Sequence, residues 1–269
     1  MQSSQIFRNR INEEGDVKRF ADKIVIVTGA GSGIGKETAK HFAREGAQVI
    51  LVGRNMERLE LAVGEIENEG GRAAPVQADV SIKEQVEAMV SQVVDAYGKI
   101  DVLHNHAGIL SAQDQSILEV DESVMDATLA NNVKSQMMVG KYVGRVMASQ
   151  KRGSIVNTAS DLSFIALPNV CCYVTSKGAI LGLTRAMAVD LGPYNIRVNA
   201  VCPGFVYDTI MTEGLASQDS IMEEMKKSYI IKKLGRPSDI APTVLHLASD
   251  DSGFTTGSFV IIDGGHIIT

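Results

Sequence analysis

Eight residues, TGAGSGIG (28–35), stand between two runs of opposite character. Before them, KIVIVTG (23–29) is apolar, rich in β-branched residues and ended by glycine, which reads as a buried strand. After them, IGKETAKHFAREG (34–46) has helical period and stops at Gly46. A strand that turns directly into a helix presents the helix's free N–H groups, and the positive end of its dipole, to whatever sits at the turn. Glycines at 29, 31, 33 and 35 allow a tight turn and a close backbone approach to a phosphate. The stretch therefore predicts a dinucleotide-binding turn, with Gly29, Ser32, Gly33, Ile34 and Gly35 as its candidate residues.

The rest of the chain repeats the alternation. AQVILVGR (47–54) predicts a second strand, and NMERLELAVGEIENEG (55–70) a helix capped by Asn55 and ended at Gly70 and Gly71. RAAPVQADV predicts a third strand, with a helix over 82–97 behind it. KIDVLHNHAG (99–108) is a fourth, followed by one long helical region over 121–150. GSIVNTAS (153–160) and NIRVNAVCPG (195–204) flank a helix over 172–191. A helix over 237–249 and the strand SFVIIDGG close the chain. Strands apolar on both faces, alternating with helices, imply an α/β fold with a doubly wound parallel sheet of about seven strands, covered on both sides. No linker divides the 269 residues, so one domain over 22–269 is expected behind a polar N-terminal extension, 1–21. The Met-rich stretch 207–233 breaks the pattern and suggests a substrate flap.

Charge and cysteines narrow the function. Net charge is 26 − 32 = −6, with no basic excess for nucleic acid. No apolar run is long enough to span a membrane, and the N-terminus lacks the apolar core of a secretory signal. Of the three cysteines, Cys171 and Cys172 are adjacent, a strained geometry for a disulfide, and no histidine stands at ligand spacing from them. No metal site is expected, and a reduced, cytoplasmic setting is the default.

Tyr173 and Lys177 stand four residues apart in YVTSK. On a helix that spacing sets them roughly 40° apart around the axis, on one face. An ammonium beside a phenol favours phenolate, and so could make Tyr173 a proton acceptor. Ser160, thirteen residues earlier at a strand end, could hold an oxygen beside it. Asn132 is an unfavourable choice inside a plain helix.

In order and spacing, TGAGSGIG, NHAG (105–108), Ser160, YVTSK, PGFV (203–206) and IDGG resemble the short-chain dehydrogenase/reductase family from about residue 22 onward. The resemblance implies a Rossmann-type fold and hydride transfer between a nicotinamide cofactor and a secondary alcohol or ketone. It assigns Tyr173 as general acid/base, Lys177 as its partner and a ligand of the nicotinamide ribose, Ser160 as the oxygen-orienting hydroxyl, and Asn132 as support for a proton relay. It places Asp79 and Val80 at the adenine, Asn105, Ala107 and Gly108 along the cofactor, and Pro203, Gly204 and Val206 against the nicotinamide. His106 replaces the second asparagine of the usual motif and reads as structural. Thr209 falls one position later than the family spacing. A homo-oligomer, tetramer or dimer, is the family's usual assembly.

Cofactor choice follows from the end of the second strand, VGRN. An acidic residue there would bond the 2′-hydroxyl of NAD, whereas Gly53 and then Arg54 suit the 2′-phosphate of NADP. NADP is favoured over NAD. The pocket expected beyond Ser160 involves Leu162, Phe164, Ile210, Met211 and Met222, which favours a fairly apolar substrate. Two competing readings are a cofactor-binding sensor without catalysis and an epimerase or lyase on the same fold.

Overall fold

The computed structural model describes residues 18–212 and 219–269. The stretch read as an N-terminal extension therefore lies almost wholly outside the described residues. Seven parallel strands form one sheet: β1 Ile24–Thr28, β2 Gln48–Gly53, β3 Arg72–Gln77, β4 Val102–Asn105, β5 Gly153–Thr158, β6 Ile196–Pro203 and β7 Phe259–Ile262. Their order is β3-β2-β1-β4-β5-β6-β7. Helices α1 Gly33–Arg44, α2 Met56–Asn68, α3 Lys83–Tyr97, α4 Glu122–Leu129, α5 Ser135–Gln150, α6 Cys171–Leu191, α7 Asp219–Lys227 and α8 Pro237–Ala248 accompany it.

Every residue of β1 is buried, because helices cover both faces of the sheet. Alternate residues feed separate cores. Val25, Val27, Val49 and Leu51 pack with Phe42 of α1, Leu59 of α2 and Val244 of α8. Ile24, Ile26, Ile50 and Val52 pack with Met89 of α3, Val143 of α5 and Met187 of α6. Local signals set the helix ends: the Asn55 side chain accepts from the Arg58 amide at 2.9 Å, and Gly98 ends α3 in the left-handed region at φ 74°.

Two expectations change. The helical region 121–150 is two helices joined by a π-helical turn, Ala130–Lys134. Asn131 donates to the Ala127 carbonyl at 2.8 Å, and Asn132 is turned fully inward to bond a neighbouring loop. Asparagine side chains compete with backbone bonding, and one widened turn results. The stretch 207–233 carries a 3-10 turn, Ile210–Thr212, and helix α7 among its described residues.

The sheet order reverses between β1 and β4. There the chain leaves toward β2 on one side and β4 on the other, opening a crevice at the strands' C-terminal ends. One hydroxyl ties its two lips: Thr28 Oγ1 accepts from the amides of His106 (2.9 Å) and Ala107 (3.0 Å).

Candidate active site

The turn at the end of β1 has the makings of an anion cradle. Ser32 is the N-cap of α1 in extended backbone and makes no side-chain capping bond, and no acidic residue occupies the first turn. The amides there remain available to an anion. Gly35 is required sterically, since a Cβ on it would collide with the Gly29 carbonyl. Gly33 has φ +53°, and a Cβ on it would lie 3.1 Å from Thr209 Cγ2. The residues present fit a pyrophosphate. Just before Thr209, Asp208 adopts a left-handed conformation, φ 60°. Val206 bridges to Gly235, and the Gly204 amide donates to the Ile262 carbonyl at 3.0 Å, fixing the Pro203–Val206 strip at the end of β6.

Helix α6 delivers Tyr173 and Lys177 to the same crevice. Its N-terminus is held by a buried carboxylate: Asp114 accepts from the amides of Cys172 (3.1 Å) and Tyr173 (2.9 Å). An anion there also complements the helix dipole. Asp114 carried no signal in the sequence, since a lone aspartate in a loop looks like any other. Lys177 is buried, and its Nζ donates to the Thr158 carbonyl at 2.9 Å, 5.6 Å from the centre of the Tyr173 ring. Ser160 lies just past β5, with the hydroxyl adjoining the phenol. Asn132 is wholly buried and binds the loop after β4 twice, with Nδ2 on the Ile109 carbonyl (2.8 Å) and Oδ1 taking the Ile109 amide (2.7 Å). The same Nδ2 donates to Ser176 Oγ at 3.0 Å. Gly108 keeps the way to Lys177 open: a Cβ there would meet Asn132 Oδ1 at 3.2 Å and Lys177 Nζ at 3.6 Å.

Burial governs the titration of this cluster. It pushes the Tyr173 phenol up to about 12; Ser160 pulls the other way and the Asp161 charge adds to the rise. Burial pulls Lys177 down to about 8. The phenol is thus raised, where the Tyr–Lys spacing predicted a lowering, and desolvation of the ring is the largest cause.

The remaining candidates divide. Arg54 is exposed at the end of β2, where its carbonyl accepts from Gln77 Nε2 at 2.8 Å. Arg58, which sequence reading passed over, faces the glycine turn from α2, its Cβ 3.3 Å from where a Gly31 Cβ would stand. Asp79 Oδ1 accepts from the Ser81 amide (2.9 Å) and hydroxyl (2.6 Å), so part of that carboxylate is used in the turn that precedes α3, with half-buried Val80 between. The Asn105 side chain does not face the crevice: it is buried, donating to the Gln136 carbonyl (2.9 Å) and Asn157 Oδ1 (3.1 Å), and ties β4 to α5 and β5. His106 is held by Thr158 Oγ1 at 3.2 Å beside the His104 ring, and burial followed by the Lys177 charge lowers it to about 3. The ring therefore stays neutral.

Of the expected pocket residues, Leu162 and Met222 are half-buried, and Phe164 and Met211 are exposed. The Ile210 side chain and residues 213–218 lie outside the described residues. Cys172 and Cys202 are buried thiols. Burial, then Asp114, raises Cys172 to about 11, and burial raises Cys202 to about 12. Among the described residues no cluster of His, Cys, Asp and Glu is placed to hold a metal ion, and no helix is long and apolar enough to cross a membrane.

A glycine-rich turn at a sheet switch point, with a tyrosine, a lysine and a serine gathered beyond it, is the arrangement of a nucleotide-binding α/β fold. Comparison with known proteins agrees. A family model described as enoyl-(acyl carrier protein) reductase matches residues 29–266. The chain is 38% identical over 250 residues to a 3-oxoacyl-[acyl-carrier-protein] reductase of Thermotoga maritima, covering 93% of this chain and 100% of that one. Levodione reductase superposes with a TM-score of 0.89 at 33% identity, covering 93% of this chain and 100% of that one. An NAD+-bound xylitol dehydrogenase gives 0.87 at 36% identity, covering 92% and 100%. The chain belongs to the short-chain dehydrogenase/reductase family, whose members are oxidoreductases that use a nicotinamide cofactor.

Proposed function

We propose that this protein is an NADP(H)-preferring oxidoreductase that interconverts a secondary alcohol and a ketone, with Tyr173 as general acid in reduction and general base in oxidation. The observation that carries the reading is the meeting of Tyr173, Ser160 and Lys177 at the open end of the crevice whose other end is the glycine turn. The bound cofactor supplies or receives the hydride. Gly29, Ser32, Gly33, Ile34 and Gly35 would hold its pyrophosphate, and Asp79 and Val80 its adenine. Ala107, Gly108, Pro203, Gly204 and Val206 would line its path, and Asn105 would support that path from inside the sheet.

Tyr173 hands its proton to the carbonyl oxygen in one direction and takes the alcohol's proton in the other. Ser160 steadies that oxygen while charge develops on it. Lys177, whose ammonium favours phenolate, binds the cofactor ribose and passes protons onward with Asn132. An apolar rim, with Leu162, Phe164 and Met211, suits a mid-sized hydrophobic substrate. Three free cysteines suit the reduced cytoplasm, and a homotetramer or dimer is the proposed assembly.

A panel of ketones with NADPH and alcohols with NADP+, followed by nicotinamide absorbance, tests the reaction. Turnover with net redox change is expected. Cofactor binding without turnover would point to a sensor, and product without net redox change to an epimerase or lyase. Exposed Arg54 and the absence of a carboxylate at Gly53 support the phosphate-bearing cofactor. Arg54→Ala should raise KM for NADPH by about tenfold, the worth of one charge-assisted bond, and leave KM for NADH within about twofold. An NADH preference untouched by that substitution would overturn the assignment.

A further inference from the structure

The segment after β7 folds back onto the site. Asp263 shapes it, its Oδ1 accepting from the Gly265 amide (2.8 Å) and its Oδ2 from the Ile267 amide (2.9 Å). The Ile231 amide donates to the Gly264 carbonyl at 2.9 Å, joining this turn to the chain beyond α7. His266 then lies flat on Tyr229, ring centres 4.7 Å apart and planes at 20°. Tyr229 is itself pinned, its hydroxyl accepting from the Phe205 amide at 3.1 Å.

From that perch His266 Nδ1 reaches Asp161 Oδ2 at 2.8 Å, across 105 residues of sequence. Asp161 is 3% exposed, and its other oxygen accepts from Ser160 Oγ at 2.9 Å and the Leu162 amide at 2.7 Å. Gly204 closes over the carboxylate, since a Cβ there would stand 3.3 Å from Oδ2. A buried carboxylate is costly unless paired, and this one sits next to the hydroxyl that should serve the substrate.

Serine has one proton to give. Here it points at Asp161, and to steady a substrate oxygen it must turn away. We propose that His266, acting through Asp161, is a positioning residue for the reaction: its donation to Oδ2 lets Asp161 release the Ser160 proton to the substrate while the carboxylate stays satisfied. The proposal rests on the alcohol–ketone reading above. The C-terminal turn is then a working part of the site. Asp161 also bears on Tyr173: the groups around it are His266 from the C-terminal turn, Tyr173 from α6, Cys202 from β6, Tyr229 beyond α7 and Asp263 after β7, and its charge opposes the phenolate.

Three variants test this, alongside Tyr173→Phe. His266→Phe keeps a ring on Tyr229 but has no donor. His266→Asn restores an N–H near the position of Nδ1. Asp161→Asn keeps the shape and removes the charge. His266→Phe should lower kcat by about thirtyfold with NADPH affinity within about twofold, less than the hundredfold or more that outright loss of one orienting donor costs, because Ser160 itself remains. His266→Asn should recover kcat to within about threefold of the parent, which a merely structural role would not predict. Asp161→Asn should move the rising limb of oxidation kcat/KM to lower pH, because a charge opposing the phenolate is gone. The proposal is overturned if His266→Phe keeps the parent kcat, or if His266→Asn is as slow as His266→Phe when both bind NADPH and melt as the parent does. Where His266→Phe fails to fold, His266→Asn alone decides: a kcat more than about tenfold below the parent, with NADPH affinity kept, overturns the proposal. Turnover that survives Tyr173→Phe would instead overturn the alcohol–ketone reading.

Discussion

Tyr173→Phe should lower kcat for ketone reduction by about a thousandfold, within the range general acid–base groups contribute, and leave NADPH affinity within about twofold. The substitution removes one oxygen and nothing from the glycine turn, so binding and chemistry separate. The pH profile sharpens the expectation. Burial holds the phenol up to about 12, so the acid form dominates at every ordinary pH. Below the Lys177 value of about 8, reduction needs that form and should stay nearly flat from about pH 5 to 7, whereas oxidation needs phenolate and should climb over the same range, by up to tenfold per unit while the phenol stays protonated. Titrating both directions in one buffer series measures this. Turnover persisting in the phenylalanine variant would refute Tyr173 as the proton-transfer group, and reduction falling as steeply as oxidation rises would mean that the phenol titrates well below 12 in the working complex.

The parts of this molecule that could be read from sequence are those whose cause is local. The strand Ile24–Thr28 is buried on both faces, and nothing but an unbroken apolar run satisfies that. Asn55 announced a helix start because its side chain bonds three residues ahead. Tyr173 and Lys177 share a helix face by spacing alone. What stayed hidden depends on distant partners. Ala130–Lys134 reads as ordinary helix, and its widening becomes intelligible only once Asn132 is seen bonding Ile109 across the crevice. Asn105 resembles a cofactor contact in its motif, yet its side chain is claimed by Gln136 and Asn157 inside the sheet. Nothing local marks His266 or Asp161, which meet only because the fold joins them across 105 residues of sequence. Thr209 stands one position late by spacing, yet it lies against Gly33 at the glycine turn.

Lys177→Met should make a worse enzyme and a more stable protein. The ammonium is 3% exposed, and burial pulls it from 10.5 to about 8. Holding it charged in the native state therefore costs about 3 kcal/mol relative to the unfolded chain. Its bond to the Thr158 carbonyl, 2.9 Å, returns about 1 kcal/mol of that when the substitution is counted, since methionine leaves the carbonyl without it. The net gain should be about 2 kcal/mol at pH 7, seen as a Tm higher by about 4–8 °C. A base whose native value is depressed binds fewer protons folded than unfolded, so parent stability should rise with pH between about 8 and 10.5 and be flat below that window. The methionine variant should lack that rise. Its kcat should fall by about a hundredfold, because the neighbour that favours phenolate is gone. Denaturant melts of both proteins at pH 7 and pH 10 decide the matter. A variant less stable than the parent at pH 7, with the same pH dependence, would mean that Lys177 is held for packing. Stability traded for a buried ammonium is what a proton-transfer site demands, because the same desolvation that weakens the fold strengthens every charge interaction the reaction uses.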